Sequence, residues 1–88
     1  MAKYKLVFKK SVTKDLKNIP NKDVARILER INALIDNPKP QGAIKLTNQE
    51  KYRIRQGTYR ILYELKDLEL VITVVKIAHR KAVYKNHL

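Results

Sequence analysis

Apolar and polar residues alternate with a period of two on both sides of Gly57: Tyr52 and Ile54 before it, Tyr59, Ile61, Tyr63 and Leu65 after it. Such a period is the mark of a half-buried strand, and a glycine between two such runs supplies the backbone freedom of a tight turn. Lys51–Gln56 and Thr58–Leu65 are therefore predicted to form a β-hairpin. Parity then gives every side chain a face. The apolar set shares one face; Arg53 and Arg55 from the first strand, with Arg60, Leu62 and Glu64 from the second, share the other.

The rest of the pattern completes a sheet and its cover. Residues 3–9 alternate, with Tyr4, Leu6 and Phe8 on one side and Lys3, Lys5 and Lys9 on the other, as expected of a strand. Ser11 can cap a short helix through Ile19 with Val12, Leu16 and Ile19 on one stripe, and Pro20 stops it. Asn21 can cap a second helix to about Asp36. Its apolar face is Val24, Ile27, Leu28, Ile31, Leu34 and Ile35, and Asn37-Pro38 and Pro40 end it. Ile44 to Leu46 reads as a short strand. Lys66-Asp67 begins a turn, and Leu70 to Ala78 reads as a central strand covered on both faces. The last ten residues are polar and basic, either a short helix or a tail. The expected class is α+β: an N-terminal strand and two helices packed on one face of a mainly antiparallel sheet, residues 1–88 forming one domain.

Charge narrows the partners. Twenty Lys and Arg face eight Asp and Glu, a formal net of +12 in 88 residues. That self-repulsion is relieved by an anionic partner: nucleic acid, an acidic protein or an anionic surface. The chain has no Cys, which excludes disulfides and thiol chemistry and fits a cytoplasmic setting. No N-terminal signal peptide is recognisable, and the longest apolar stretch, Leu70 to Val75, is too short to cross a bilayer.

The hairpin parity clusters Arg53, Arg55 and Arg60 on the face that the helices leave open, and Lys76 and Arg80 have the parity to join them. Guanidinium forks match phosphate oxygens in a bidentate way, so the cluster reads as a phosphate site. An ordinary solvated strand face would mix signs, and Glu64 is the one acid among these residues. RNA can be cut without a metal by attack of its own 2′-hydroxyl, which needs in-line geometry, proton transfer and stabilisation of extra negative charge. His79 and Tyr84 are candidates for proton transfer, Tyr84 also for stacking on a base, and Glu64 is a candidate base or else the partner of a neighbouring arginine. Backbone bonding for His79 and packing for Tyr84 are the plainer alternatives. No spacing of His and carboxylates suggests a metal site, no glycine-rich phosphate loop exists, and no cofactor is expected.

Two stretches carry a family likeness. Lys45-Leu46 with Tyr52-Arg53-Ile54-Arg55-Gln56-Gly57-Thr58-Tyr59-Arg60-Ile61-Leu62-Tyr63 resembles the hairpin of the RelE/ParE toxin superfamily. Val75-Lys76-Ile77-Ala78-His79-Arg80-Lys81-Ala82-Val83-Tyr84 resembles its closing strand and C-terminal segment. The resemblance implies a RelE-like fold and a toxin of a type II toxin–antitoxin system that cleaves messenger RNA in the ribosomal A site. It also implies an acidic, RelB-like antitoxin in a hetero-oligomer. By position, Arg53 and Arg55 match basic residues that bind phosphate and assist proton transfer. Arg60 and Arg80 match arginines that stabilise the transition state. Tyr84 matches a tyrosine that stacks on a base and orients the nucleophile, and His79 fits relatives with His before that arginine, as acid or base. Some relatives place a Glu before the first hairpin strand as general base. Here that region reads Gly42-Ala43-Ile44-Lys45, which leaves the base open between His79 and an arginine or lysine of perturbed pKa. Two other functions share the same residues: a ParE-like inhibitor of DNA gyrase, and a basic nucleic-acid-binding module without catalysis.

Overall fold

The computed structural model describes residues 3–46 and 50–80. The hairpin lies where alternation places it. Strands Lys5–Phe8 (β1), Ile44–Lys45 (β2), Lys51–Gln56 (β3), Tyr59–Lys66 (β4) and Val71–His79 (β5) form one five-stranded sheet in the order β1-β5-β4-β3-β2. Helices Lys10–Lys17 (α1) and Asn21–Asn32 (α2) follow β1, and a 3₁₀ turn, Ala33–Ile35, extends α2. The β1–β5 pair is parallel and the other three pairs are antiparallel, which is the expected α+β arrangement. No helix among the described residues is long and apolar enough to cross a membrane.

The core lies between the helices and one face of the sheet. Val12, Ile27, Ile31 and Leu34 meet Ile54, Ile61, Tyr63, Leu65, Ile72 and Val74, and each of these is at most 1% exposed. Burial of such side chains contributes roughly 1.5–3 kcal/mol each. The Tyr63 hydroxyl donates to the Pro38 carbonyl at 2.6 Å, so a phenol sits in the core without an orphaned polar atom.

Several boundaries differ from the sequence reading. Lys9, not Ser11, occupies the N-cap of α1, and no side chain caps it. Pro20 is the N-cap of α2, and its carbonyl accepts the N–H groups of Asp23 and Val24 at 2.9 and 3.0 Å. Proline is excluded from helix interiors but suits a terminus, so Pro20 begins the second helix besides ending the first. Leu28, assigned to the apolar face of α2, is 38% exposed. The turn after β4 ends in Leu70 with φ of 55°, a conformation costly for a residue that carries a Cβ.

The largest correction concerns β5. It is not covered on both faces, and β4 rather than β5 is central. Its burial alternates: Ile72, Val74 and Ile77 are buried, while Val71, Thr73, Val75 and Lys76 are intermediate. A regular strand cannot put Val74 and Ile77 on one face, because they differ by three positions. A bulge resolves this. Tyr63 pairs with Val74 but Leu62 pairs with Lys76, so Val75 is the extra residue. Beyond the bulge, Ile77 returns to the core and Lys76 and Ala78 take the open face. Of the last ten residues, expected to be a short helix or a tail, His79 is the end of β5 and Arg80 follows it in a turn, while 81–88 lie outside the described residues.

Candidate functional site

The face away from the helices gathers the arginines. Arg55 of β3 pairs directly with Arg60 of β4, and Arg60 in turn pairs with Ala78 of β5. One row along, Ile44, Arg53, Leu62 and Lys76 line up across β2, β3, β4 and β5. Cross-strand partners share a face with Cβ atoms about 5 Å apart, so Arg53, Arg55 and Arg60 form one cluster, as parity required. Like charges in direct register destabilise a ladder. Here the buried face of the same strands holds the pair together.

Burial grades the cluster. Arg55 is exposed, whereas Arg53 and Arg60 are half-buried with their Nε atoms shielded from solvent. Leu62 is 8% exposed and makes an apolar floor between Arg53 and Lys76. Cations beside such a floor face a lower local dielectric, which strengthens their attraction for an incoming phosphate. Arg80 follows β5, and its backbone N–H donates to the Thr58 carbonyl at 2.6 Å. Arg80 lies just past the strand end, two residues beyond Ala78, the cross-strand partner of Arg60.

Two of the sequence candidates are placed differently. Lys76 has the right parity, but its ammonium is held by Asp15 Oδ1 at 3.0 Å, at the edge of β5 where β1 has ended. The other oxygen of Asp15 accepts the Ile77 backbone N–H at 3.2 Å, so one carboxylate caps the open edge. His79 pairs in register with Tyr59 and packs edge-on against its ring, with centroids 5.3 Å apart and an interplanar angle of 88°. Tyr59 shares the helix side with Ile61 and donates its hydroxyl to Asp23 Oδ2 at 3.3 Å. His79 therefore belongs to the opposite side of the sheet from the arginines, because the bulge shifts the parity of β5. Tyr84 lies outside the described residues.

Sequence reading missed Asp15, Asp23 and Tyr59. Asp15 and Asp23 sit on helices 61 and 36 positions from their partners, a separation with no local signal. Tyr59 was legible only as a core residue. Partial burial, the charge of Asp23 and the hydrogen bond to it together raise the Tyr59 phenol above its ordinary pKa. Glu64 pairs in register with Lys51 and Thr73. It stands four residues from Arg60, roughly 13 Å along the strand, so no described carboxylate of β4 adjoins the Arg55–Arg60 pair.

Known proteins share this architecture. Residues 6–84 match the profile of a family described as the ParE toxin of the type II toxin–antitoxin system parDE. A Methanocaldococcus jannaschii protein named as a toxin, RelE1, is 32% identical over 88 residues, covering 96% of this chain and 98% of that protein. RelE in the archaeal RelE–RelB complex of Pyrococcus horikoshii superposes with a TM-score of 0.79 at 28% identity, over 92% of this chain and 99% of that one. The isolated Escherichia coli RelE toxin shares the fold, with a TM-score of 0.78 at 15% identity over 93% and 88% of the two chains. A profile match along most of the sequence, and a relative this similar over nearly its full length, place the chain in the RelE/ParE superfamily: it is a RelE-family toxin of a type II toxin–antitoxin system.

Proposed function

We propose that this toxin is a metal-independent endoribonuclease that cuts messenger RNA in the ribosomal A site. The observation that carries the reading is the direct register of Arg55 with Arg60, beside Arg53, on the face the helices leave open. In the proposed reaction the 2′-oxygen bonds to the adjacent phosphorus and the 5′-oxygen of the next nucleotide leaves. A 2′,3′-cyclic phosphate remains, and the proton lost from the 2′-hydroxyl is matched by one gained at the leaving oxygen. Arg53 and Arg55 hold the phosphate, while Arg60 and Arg80 stabilise the charge that builds in the transition state. Tyr84, by resemblance, stacks on a base and orients the nucleophile. Proton transfer falls to the cationic cluster and the bound message, since His79 lies on the other side of the sheet.

The shape of the site supports ribosome dependence. An open sheet face attracts RNA but cannot by itself impose in-line geometry on a flexible strand. A ribosome already holds the message in a fixed path. The net charge of +12, and the RelE–RelB assemblies of the similar structures, support an acidic RelB-like antitoxin as partner in a hetero-oligomer. The cytoplasm is the compartment this role requires.

The test is primer extension on a defined message with purified toxin. Cleavage is expected only when ribosomes are present, and Arg60→Ala and Arg80→Ala are expected to abolish it while the protein stays folded. The family profile, described by the name ParE, favours one alternative, gyrase inhibition. Loss of DNA supercoiling with translation untouched would establish that alternative and discard the nuclease. Salt-sensitive RNA binding without any cut would leave only a basic binding module.

A further inference from the structure

Three residues that the proposed chemistry does not use meet on the helix side, directly behind the arginines. Tyr59 opens β4 and pairs in register with His79, the last residue of β5. Their rings meet edge to face at 5.3 Å and 88°, the arrangement aromatic quadrupoles favour. Asp23, in the first turn of α2, accepts the Tyr59 hydroxyl at 3.3 Å and so ties that pair to the helix layer. An arginine follows each of the two rings in the chain: Arg60, on the opposite face of β4, after Tyr59, and Arg80, just beyond the end of β5, after His79. The Arg80 N–H bond to the Thr58 carbonyl closes the ladder at this end.

We infer that Asp23, Tyr59 and His79 form a clamp that fixes the spacing of Arg60 and Arg80. All three are positioning residues, acting through the backbone they hold. Ladder ends open more readily than ladder centres, and this one carries a Gly57 turn. Cations must sit within about 0.5 Å of their productive geometry, so a loose end is costly for chemistry even when the fold survives. Simple packing needs neither a carboxylate nor a hydroxyl at a half-buried position. Both are present, and they join elements 36 residues apart.

The rate readout rests on the nuclease reading, and a second readout does not. Tyr59→Phe keeps the ring and removes only the bond to Asp23. Its single-turnover cleavage rate is expected to fall about tenfold, with affinity for programmed ribosomes unchanged and a melting temperature no lower than that of Tyr4→Phe. His79→Ala should act alike, and the double variant should lose less than the product of the two. Tyr4→Phe is the control: it removes a similar bond, Tyr4 to Asp67 at 2.7 Å, at the far end of the sheet, and should cut at the wild-type rate. In parallel, the Nε–Hε resonances of Arg60 and Arg80 in the toxin purified from its complex should shift in Tyr59→Phe and stay put in Tyr4→Phe. Unmoved resonances in Tyr59→Phe overturn the clamp, as does a rate loss that merely tracks a fall in melting temperature. If the wild type does not cut ribosome-bound message, the nuclease reading fails, and the resonances alone decide the clamp.

Discussion

The two faces of this sheet are made by the same strands and obey opposite rules. Toward the helices stand Tyr52, Ile54, Ile61, Tyr63, Leu65, Ile72, Val74 and Ile77, none more than 7% exposed. Away from them stand Lys51, Arg53, Arg55, Arg60, Glu64 and Thr73, all at least partly open to solvent. One face gains from excluding water. The other keeps like charges in register, a cost that the first offsets. Because side chains alternate, neighbours in sequence belong to different tasks. Function can be lost at one residue, and stability at the next.

Arg60 and Ile61 break that comparison most sharply. Arg60→Ala removes a cation proposed to face the scissile phosphate and should lower the cleavage rate a hundredfold or more, roughly 3 kcal/mol in barrier. Urea unfolding should scarcely change. Ile61→Ala, one residue on, empties a position that is 0% exposed and should destabilise the fold by about 3 kcal/mol. The cleavage rate per folded molecule should be nearly intact. If both variants lose stability equally, the faces are not separable and the phosphate site loses its main support.

How much of this was legible depended on the range of the interaction. The hairpin was readable to within a residue at each end, because alternation and Gly57 are local signals. The cluster of Arg53, Arg55 and Arg60 followed from the same parity. The bulge at Val75 was not readable: Val74, Val75 and Lys76 fit a regular strand equally well, and only packing of both Val74 and Ile77 demands an extra residue. That single residue lets Val74 and Ile77 share the core face while Lys76 keeps the open one. The caps were missed for a related reason. Ser11 and Asn21 are good N-cap types, but helix starts here are set by where β1 ends and by Pro20.

Asp15 tests the edge where the two faces meet. It is the acceptor for both Lys76 and the Ile77 N–H, and its side chain is only 15% exposed. Asp15→Ala leaves an ammonium and a strand-edge N–H without their acceptor, which should cost about 1–2 kcal/mol of stability. It also releases Lys76 toward the arginine face. Binding to ribosomes should therefore hold or tighten while the melting temperature falls. A fall in both would mean that Lys76 matters to the core alone.

The smallest effect sharpens the contrast from the buried side. Burial foremost, then the neighbouring Tyr52, pushes the Tyr63 phenol from an ordinary 10.0 up to about 12, while Arg30 opposes the shift. A raised pKa means that the folded state favours the neutral phenol. The stability this contributes is whole below pH 10.0 and is lost as the pH climbs toward about 12. Tyr63→Phe cannot titrate and lacks the 2.6 Å bond to Pro38, so it should be about 1 kcal/mol less stable at neutral pH. Its alkaline limb should also be shallower, the residual slope coming from the raised phenols of Tyr4 and Tyr59 and the raised ammonium of Lys39. Urea midpoints followed from neutral to alkaline pH should therefore converge. Parallel curves would sink the assignment, because they would show that the core phenol ionises no later in the folded chain than in the unfolded one.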